Sequence, residues 1–300
     1  MNKIVTLFLL GVAAMSLSAG CRTIKKEGPE VTMPSAPRKI ATAKHSLKNK
    51  KLKANDIPPV LGGIVQSDSW VIYKNEQKEE FKGHVSYDNS IYVFKADYAL
   101  SERALNRFSA RGNVYLRQNE PDGSFYEAYC DKANFNYKAQ QGTLTADKKR
   151  FIKLVYSDEK KQTVTATARK ATFDLEHKIF TLEKDVRVER PTPEGTQVFT
   201  SQKATFKQLE DYAILEGNAT LTDGQRTLEA ETIIYDGAHN ASYAYGARPL
   251  AHGTTEQGTF AIIADKVQSD NEGQQIHLDG QVQGWFVSPK INESDINTKF

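Results

Sequence analysis

Residues 200–222 read TSQKATFKQLEDYAILEGNATLT. Ala204 and Phe206 are apolar and two apart. A polar tip follows at Gln208-Leu209-Glu210-Asp211, after which Ala213 and Leu215 alternate with Tyr212, Ile214 and Glu216. Beyond Gly217-Asn218 the alternation resumes at Ala219 and Leu221. A period of two belongs to a strand, whose successive side chains point to opposite faces. The stretch therefore reads as strand, turn, strand. Upstream, Ala168 to Val188 repeats it through Ala171, Phe173, Leu182, Val186 and Val188. A unit that returns at a near-fixed spacing sets the architecture before any single residue does.

The unit can be followed from Ile64 almost to the end. Its first residues, Ala96, Cys130, Ala168, Ser201, Ala230 and Ala264, are 34, 38, 33, 29 and 34 apart. This predicts about seven two-strand repeats in an all-β chain, with length variation confined to loops such as Gln118 to Ser124. The Gly-Asn bend of Gly217-Asn218 recurs at Gly112-Asn113 and is lost near Lys148, so the third unit is expected to be the least regular. One unit cannot bury its own apolar face, so neighbours must stack. Two forms satisfy this: a twisted β-jellyroll (a β-solenoid of two facing antiparallel sheets) and a right-handed parallel β-helix. Seven units at one strand each would make a column of roughly 30–35 Å.

Composition permits a core, with 39% hydrophobic and 26% charged residues. The net charge of +3 hides an asymmetry. Between Arg22 and Gly63 there are ten Lys/Arg against three Asp/Glu, and from Ile64 onward 29 basic residues face 34 acidic ones. The basic character belongs to a tail, which argues against a nucleic-acid-binding surface on the folded part. With only two cysteines no disulfide framework is available. Cys130 reads as a small strand residue.

The chain divides into a signal peptide (1–20), a lipidated Cys21 with a basic flexible tether (21–63), a β-domain (64–288) and a C-terminal tail (289–300). Lys3 precedes an apolar run from Ile4 to Ala14 that is too short to span a bilayer. Leu17-Ser18-Ala19-Gly20-Cys21 then resembles a bacterial lipobox, which predicts acylation of Cys21 and anchorage to a membrane facing the periplasm.

The recurring pattern Ala-x-x-Ala-x-Phe/Tyr followed by Leu-x-Gly-x-Val-x-Leu resembles the OstA-like family of lipopolysaccharide-transport proteins, which includes LptA, LptC and the N-terminal domain of LptD. The residues that carry it are Phe108 to Leu116, Leu215-Glu216-Gly217-Asn218-Ala219-Thr220-Leu221 and Leu278-Asp279-Gly280-Gln281-Val282. The resemblance implies a jellyroll whose apolar groove holds the acyl chains of lipid A and whose copies join edge to edge by β-augmentation. It further implies a non-enzymatic carrier in lipopolysaccharide export. The lipobox departs from the smallest members, which have a plain signal peptide.

Fourteen inward-phased residues form a ladder. The lipid-groove candidates among them are Phe108, Ala133, Phe135, Ala171, Phe173, Leu182, Ala204, Phe206, Leu215, Ile233, Tyr235 and Leu278. If the sheets close, this ladder is only a core. If they splay, small Ala beside large Phe leaves room for acyl chains. Asp97, Asp131, Glu231 and Asp265 recur one place after each unit's first residue and read as solvent-face charges beside Lys132, Lys170, Lys203 and Lys266. No cofactor or metal is expected, because the six histidines show no paired ligand spacing. No catalytic residue is assigned. The competing functions are a structural or adhesive β-solenoid with a solid core, and a carbohydrate-active parallel β-helix enzyme, which would need clustered carboxylates on one face.

Overall fold

The computed structural model describes residues 63–288, apart from 193–194, 237, 240, 256–257 and 271–274. The signal peptide, Cys21, the tether up to 62 and the tail from 289 lie outside the described residues. Twenty strands follow one another: β1 (Ile64–Gln66), β2 (Ser69–Tyr73), β3 (Lys78–Asp88), β4 (Tyr92–Glu102), β5 (Arg107–Asn119), β6 (Phe125–Asn136), β7 (Gln141–Thr145), β8 (Ile152–Ser157), β9 (Thr163–Ala168), β10 (Lys170–Asp174), β11 (Ile179–Thr192), β12 (Gly195–Lys207), β13 (Tyr212–Asp223), β14 (Arg226–Asp236), β15 (Ala241–Tyr245), β16 (Leu250–Thr255), β17 (Gly258–Ile263), β18 (Lys266–Asp270), β19 (Gln275–Asp279) and β20 (Gln283–Val287). Only two short 3-10 turns, Arg103–Leu105 and Gln208–Glu210, interrupt them among the described residues.

Every pairing is antiparallel, which rules out the parallel β-helix. The eight long strands bend midway, so each contributes one half to each of two faces. The first face runs β1, β3 (second half), β4 (first), β5 (second), β6 (first), β8, β9, β11 (second), β12 (first), β13 (second), β14 (first), β16, β17, β20. The second runs β2, β3 (first half), β4 (second), β5 (first), β6 (second), β7, β10, β11 (first), β12 (second), β13 (first), β14 (second), β15, β18, β19. Apolar side chains of both faces meet in one cluster. Phe94 of the first face meets Phe108 of the second edge-on, with ring centroids 5.5 Å apart.

Each face thus stacks fourteen strand segments, a column of about 65 Å at ~4.8 Å per strand. The sequence-based height of half that is corrected here. A unit such as 200–222 sends both of its strands through both faces, and therefore adds two layers to each rather than one.

The bend has a repeated construction. On one strand two residues bulge, as Gly83-His84, Gly112-Asn113 and Gly217-Asn218 do, and all six have positive φ. The neighbouring strand places a single residue opposite: Asp97 lies against Gly112, where a Cβ would come 2.4 Å from its Oδ2. Glycine is required at 112 for both its φ of +76° and this close approach. Asn113 donates to the Asp97 carboxylate at 2.9 Å, closing the bend. The acidic ladder is therefore a line of corner residues, of which Asp97, Glu231 and Asp265 are exposed, as expected, and Asp131 is buried. Asp131 is 6% exposed, accepts from the Asp147 N–H at 2.7 Å and pairs with Arg150 at 3.1 Å. The lysines beside it do lie on the outer surface, as in the Lys170–Glu183 and Lys203–Glu216 pairs at 2.9 and 2.8 Å.

The third unit is interrupted where the Gly-Asn bend is lost, but it is not alone: the strands also break between Tyr245 and Leu250, Ile263 and Lys266, and Asp279 and Gln283. In the third unit β7 stops at Thr145, residues 146–151 cross the corner as a loop, and β8 starts at Ile152. Arg169 takes the corner position there. Its guanidinium donates to the carbonyls of Lys148 and Arg150 at 3.1 and 2.8 Å and lies 3.7 Å from the Phe151 ring centroid.

Candidate functional site

All twelve ladder residues fall on the inward side of the second face, in two adjacent rows. Cross-strand partners link Ala133, Ala171, Leu182, Ala204, Leu215, Ile233 and Leu278 along one row. Phe108, Phe135, Phe173, Phe206 and Tyr235 lie on the other, nearer the hairpin tips. Eight of them are buried, while Phe108, Phe206, Tyr235 and Leu278 are half-buried. The ladder left out the opposite wall on the first face, Phe94, Leu116, Leu154, Val188, Phe199, Leu221 and Leu228, although Leu116, Val188 and Leu221 stand in the recurring pattern. The signal was present at the corners. Inward residues step by three across the acidic corner, from Ala96 to Ala99 and from Cys130 to Ala133. They step by four across the bulge, from Ala110 to Val114 and from Leu215 to Ala219.

The alanines play a different part from the one expected. Ala168, Ala171, Ala204 and Ala219 are 0% exposed beside the corner. Their small volume lets the two faces close together there. Cys130 lies in the same dry strip, where burial pushes its thiol up to about 12.

The space between the faces varies along the column. In the middle, Ile152 and Leu182 are 0% and 1% exposed. Phe135 and Phe173 stack at 6.0 Å across Gly142, and a Cβ on Gly142 would come 2.0 Å from Phe173 Cζ. At the β1–β5 end the faces part around a cleft of about 270 Å³. Val65, Tyr87 and Phe94 form one wall, Trp70, Phe81 and Phe108 the other. Its mouth is polar: Arg103 is ion-paired with Glu79, and Ser101 bonds the Tyr137 phenol, which burial pushes up to about 12. A larger depression of about 390 Å³ lies on the outer side of the second face, floored by Asn134, Thr143, Thr172 and Thr181. Two ladder rings, Phe135 and Phe173, also border it, beside Gly142 on the strand between them.

Both ends of the column carry exposed apolar strands. Ile64, Trp70 and Ile72 are 44%, 51% and 55% exposed at one end, and Ile276, Trp285 and Phe286 are 62%, 56% and 55% exposed at the other. Among the described residues no cluster of three or more His, Cys, Asp or Glu could hold a metal ion. No helix among them is long and apolar enough to cross a membrane.

Residues 149–236 match the family described as "Lipopolysaccharide-assembly, LptC-related". No curated protein matches the chain. Among solved structures, LptH of Pseudomonas aeruginosa, described as the LptA homologous periplasmic component of the conserved lipopolysaccharide transport device, is similar at 18% identity. The match covers 41% of this chain and 82% of that one, with a TM-score of 0.33. At that score the likeness carries no argument of its own. The OstA-like resemblance read from the repeats is thus met by a family match over residues 149–236, the stretch that contains the central units.

Proposed function

We propose that this chain is a lipid-anchored periplasmic carrier or bridge component of lipopolysaccharide export, and not an enzyme. In this reading residues 64–288 act as one OstA-like β-jellyroll of about seven repeats, held to a membrane through an acylated Cys21 and the 21–63 tether. Acyl chains lie between the two faces, against the ladder from Phe108 to Leu278. The observation that carries the reading is the pair of opposed apolar walls, which part around a cleft at the β1–β5 end. Each acyl CH₂ moved from water into it contributes about 0.8 kcal/mol. A headgroup phosphate at the polar mouth would have to compete with Glu79 for the Arg103 guanidinium. The family match of residues 149–236 supports lipopolysaccharide as the cargo. The exposed apolar end strands β1, β2, β19 and β20 suit edge-to-edge pairing with like-folded proteins.

A second reading, a structural β-solenoid with a solid core, is favoured by the closed middle, where Ala171 and Leu182 are 0% and 1% exposed. A photo-crosslinker placed at Phe108 or Phe206 in cells separates the two. Crosslinks to lipopolysaccharide support transport; none, in a folded and expressed protein, leaves the solid solenoid. Cys21→Ser is expected to release the protein from membranes, and continued membrane binding contradicts the anchor.

A further inference from the structure

The outer side of the first face carries one row unlike the rest. Cross-strand partners place Lys95, Tyr115, Tyr129 and Lys153 side by side on β4, β5, β6 and β8. The Tyr115 and Tyr129 rings lie 5.1 Å apart, and Tyr129 is 40% exposed. Both phenols donate to one carboxylate, Tyr115 to Glu127 Oε1 and Tyr129 to Oε2, each at 2.8 Å. Arg117 pairs with the same group at 2.9 Å, so the charge of Glu127 is matched within the cluster. The two phenol oxygens are thereby tied to one carboxylate, with Tyr115 half-buried and Tyr129 exposed. Burial, and then the bond to Glu127, pushes the Tyr129 phenol up to about 12, so it stays neutral beside an anion.

An aromatic cross-strand pair by itself stabilises a sheet and needs no ligand. The lysines are what that account omits. Lys95 and Lys153 are exposed and, among the described residues, neither makes an ion pair, although carboxylates are paired with lysines on the neighbouring second face. Lys95 Nζ instead sits 5.9 Å from the Tyr115 ring centroid. The result is a neutral aromatic platform between two unpaired cations about 14 Å apart, three strand spacings. Apolar C–H faces of sugar rings pack on aromatic faces, and acidic groups at intervals along a chain match separated cations.

We propose that this row binds an anionic glycan, whose sugar rings lie on Tyr115 and Tyr129 and whose acidic groups meet Lys95 and Lys153. The site lies outside the groove, on the corner side of the first face, and does not depend on acyl-chain binding between the sheets.

The test is titration calorimetry of the full chain with oligogalacturonate, and with a neutral maltodextrin of equal length. Oligogalacturonate is expected to bind at least about tenfold more tightly than maltodextrin. Tyr129→Ala, and the double change Lys95→Gln with Lys153→Gln, are each expected to weaken binding by about tenfold or more, whereas Tyr129→Phe, which keeps the ring, stays within about twofold. Added salt should weaken the wild type more than the lysine variant. Thermal unfolding of each variant checks the fold, and if Tyr129→Ala fails to fold, the lysine variant carries the test. Equal affinity for the two glycans, no binding to either, or unchanged affinity in the lysine variant overturns the proposal. So does tighter binding of anionic vesicles or single-stranded DNA through the same residues. Crosslinking inside the groove would be untouched by any of these results.

Discussion

The middle of the column and its β1–β5 end are built from the same ladder, yet their side chains pack differently between the two faces. In the middle, Phe135 and Phe173 cover a glycine and Leu182 is 1% exposed. At the end, Phe94 and Phe108 touch only edge-on across a cleft of about 270 Å³. The two regions do not differ in hydrophobicity; they differ in what stands opposite each ring. In the middle, two rings of the second face close over Gly142 on the strand between them, and at the end a ring from each face meets the other edge-on. An apolar ladder is therefore core in one stretch and groove wall in the next, and an acyl chain that travels the whole column must displace packed side chains in the middle.

The largest effect that can break this comparison is the loss of a ring. Phe173→Ala is expected to cost about 3–5 kcal/mol, because the ring is 5% exposed and stacks on Phe135 over Gly142. Phe108→Ala, half-buried at the cleft, should cost less than half of that on the same bookkeeping. Denaturant unfolding of both variants measures the difference; equal losses would mean the two regions are packed alike. Next in size is Gly142→Ala. The new methyl would come 2.0 Å from Phe173 Cζ, so the ring must move, at about 1–3 kcal/mol by the cost of overpacking. The same variant should make the middle more accessible to a hydrophobic dye, and an unchanged stability would show that the stack is looser than described.

How far the sequence reached can be read off particular residues. Period-two alternation placed all twelve ladder residues on one inward face, and the lost Gly-Asn bend located the irregular 146–151 crossing. The facing wall from Phe94 to Leu228 was left out of the ladder because each corner changes the count between inward residues to three or four, so a single phase cannot be carried across it. Asp131 was read as exposed because its burial depends on Arg150 and on the Asp147 N–H, sixteen or more residues away. Whether the faces close was not legible at all. It depends on which ring meets Gly142 across strand pairs, a matter of register between β6, β7 and β10 that no local pattern records.

Two smaller effects sharpen the contrast between dry corner and wet rim. Cys130, its thiol pushed up to about 12, should resist alkylation at pH 8 in the folded protein and react once it is unfolded; rapid labelling of the native chain would show that the corner opens. At the rim, Asp174 and His177 form a hairpin-tip pair at 3.0 Å. The backbone N–H of His177 is the main cause that holds the Asp174 carboxyl at about 2, and the bond to Asp174 raises the His177 imidazole above 6.5. The His177 contribution is complete below 6.5 and is lost as pH rises through its folded value. That of Asp174 is present above 3.8 and is lost as pH falls through about 2. Asp174→Asn should bring the His177 titration, followed by NMR, back toward its ordinary value with little change in stability. An unmoved titration would remove the pair.

The two tryptophans stand at opposite ends of the column, Trp70 in the wall of the cleft and Trp285 on β20. Trp285→Phe leaves Trp70, 51% exposed, as the only indole reporting. Added lipopolysaccharide is predicted to move its fluorescence to shorter wavelength and to saturate, as acyl chains replace water between Trp70, Phe81 and Phe108. Emission that stays unchanged through the titration, in a chain that is folded, would contradict an acyl-binding groove at this end.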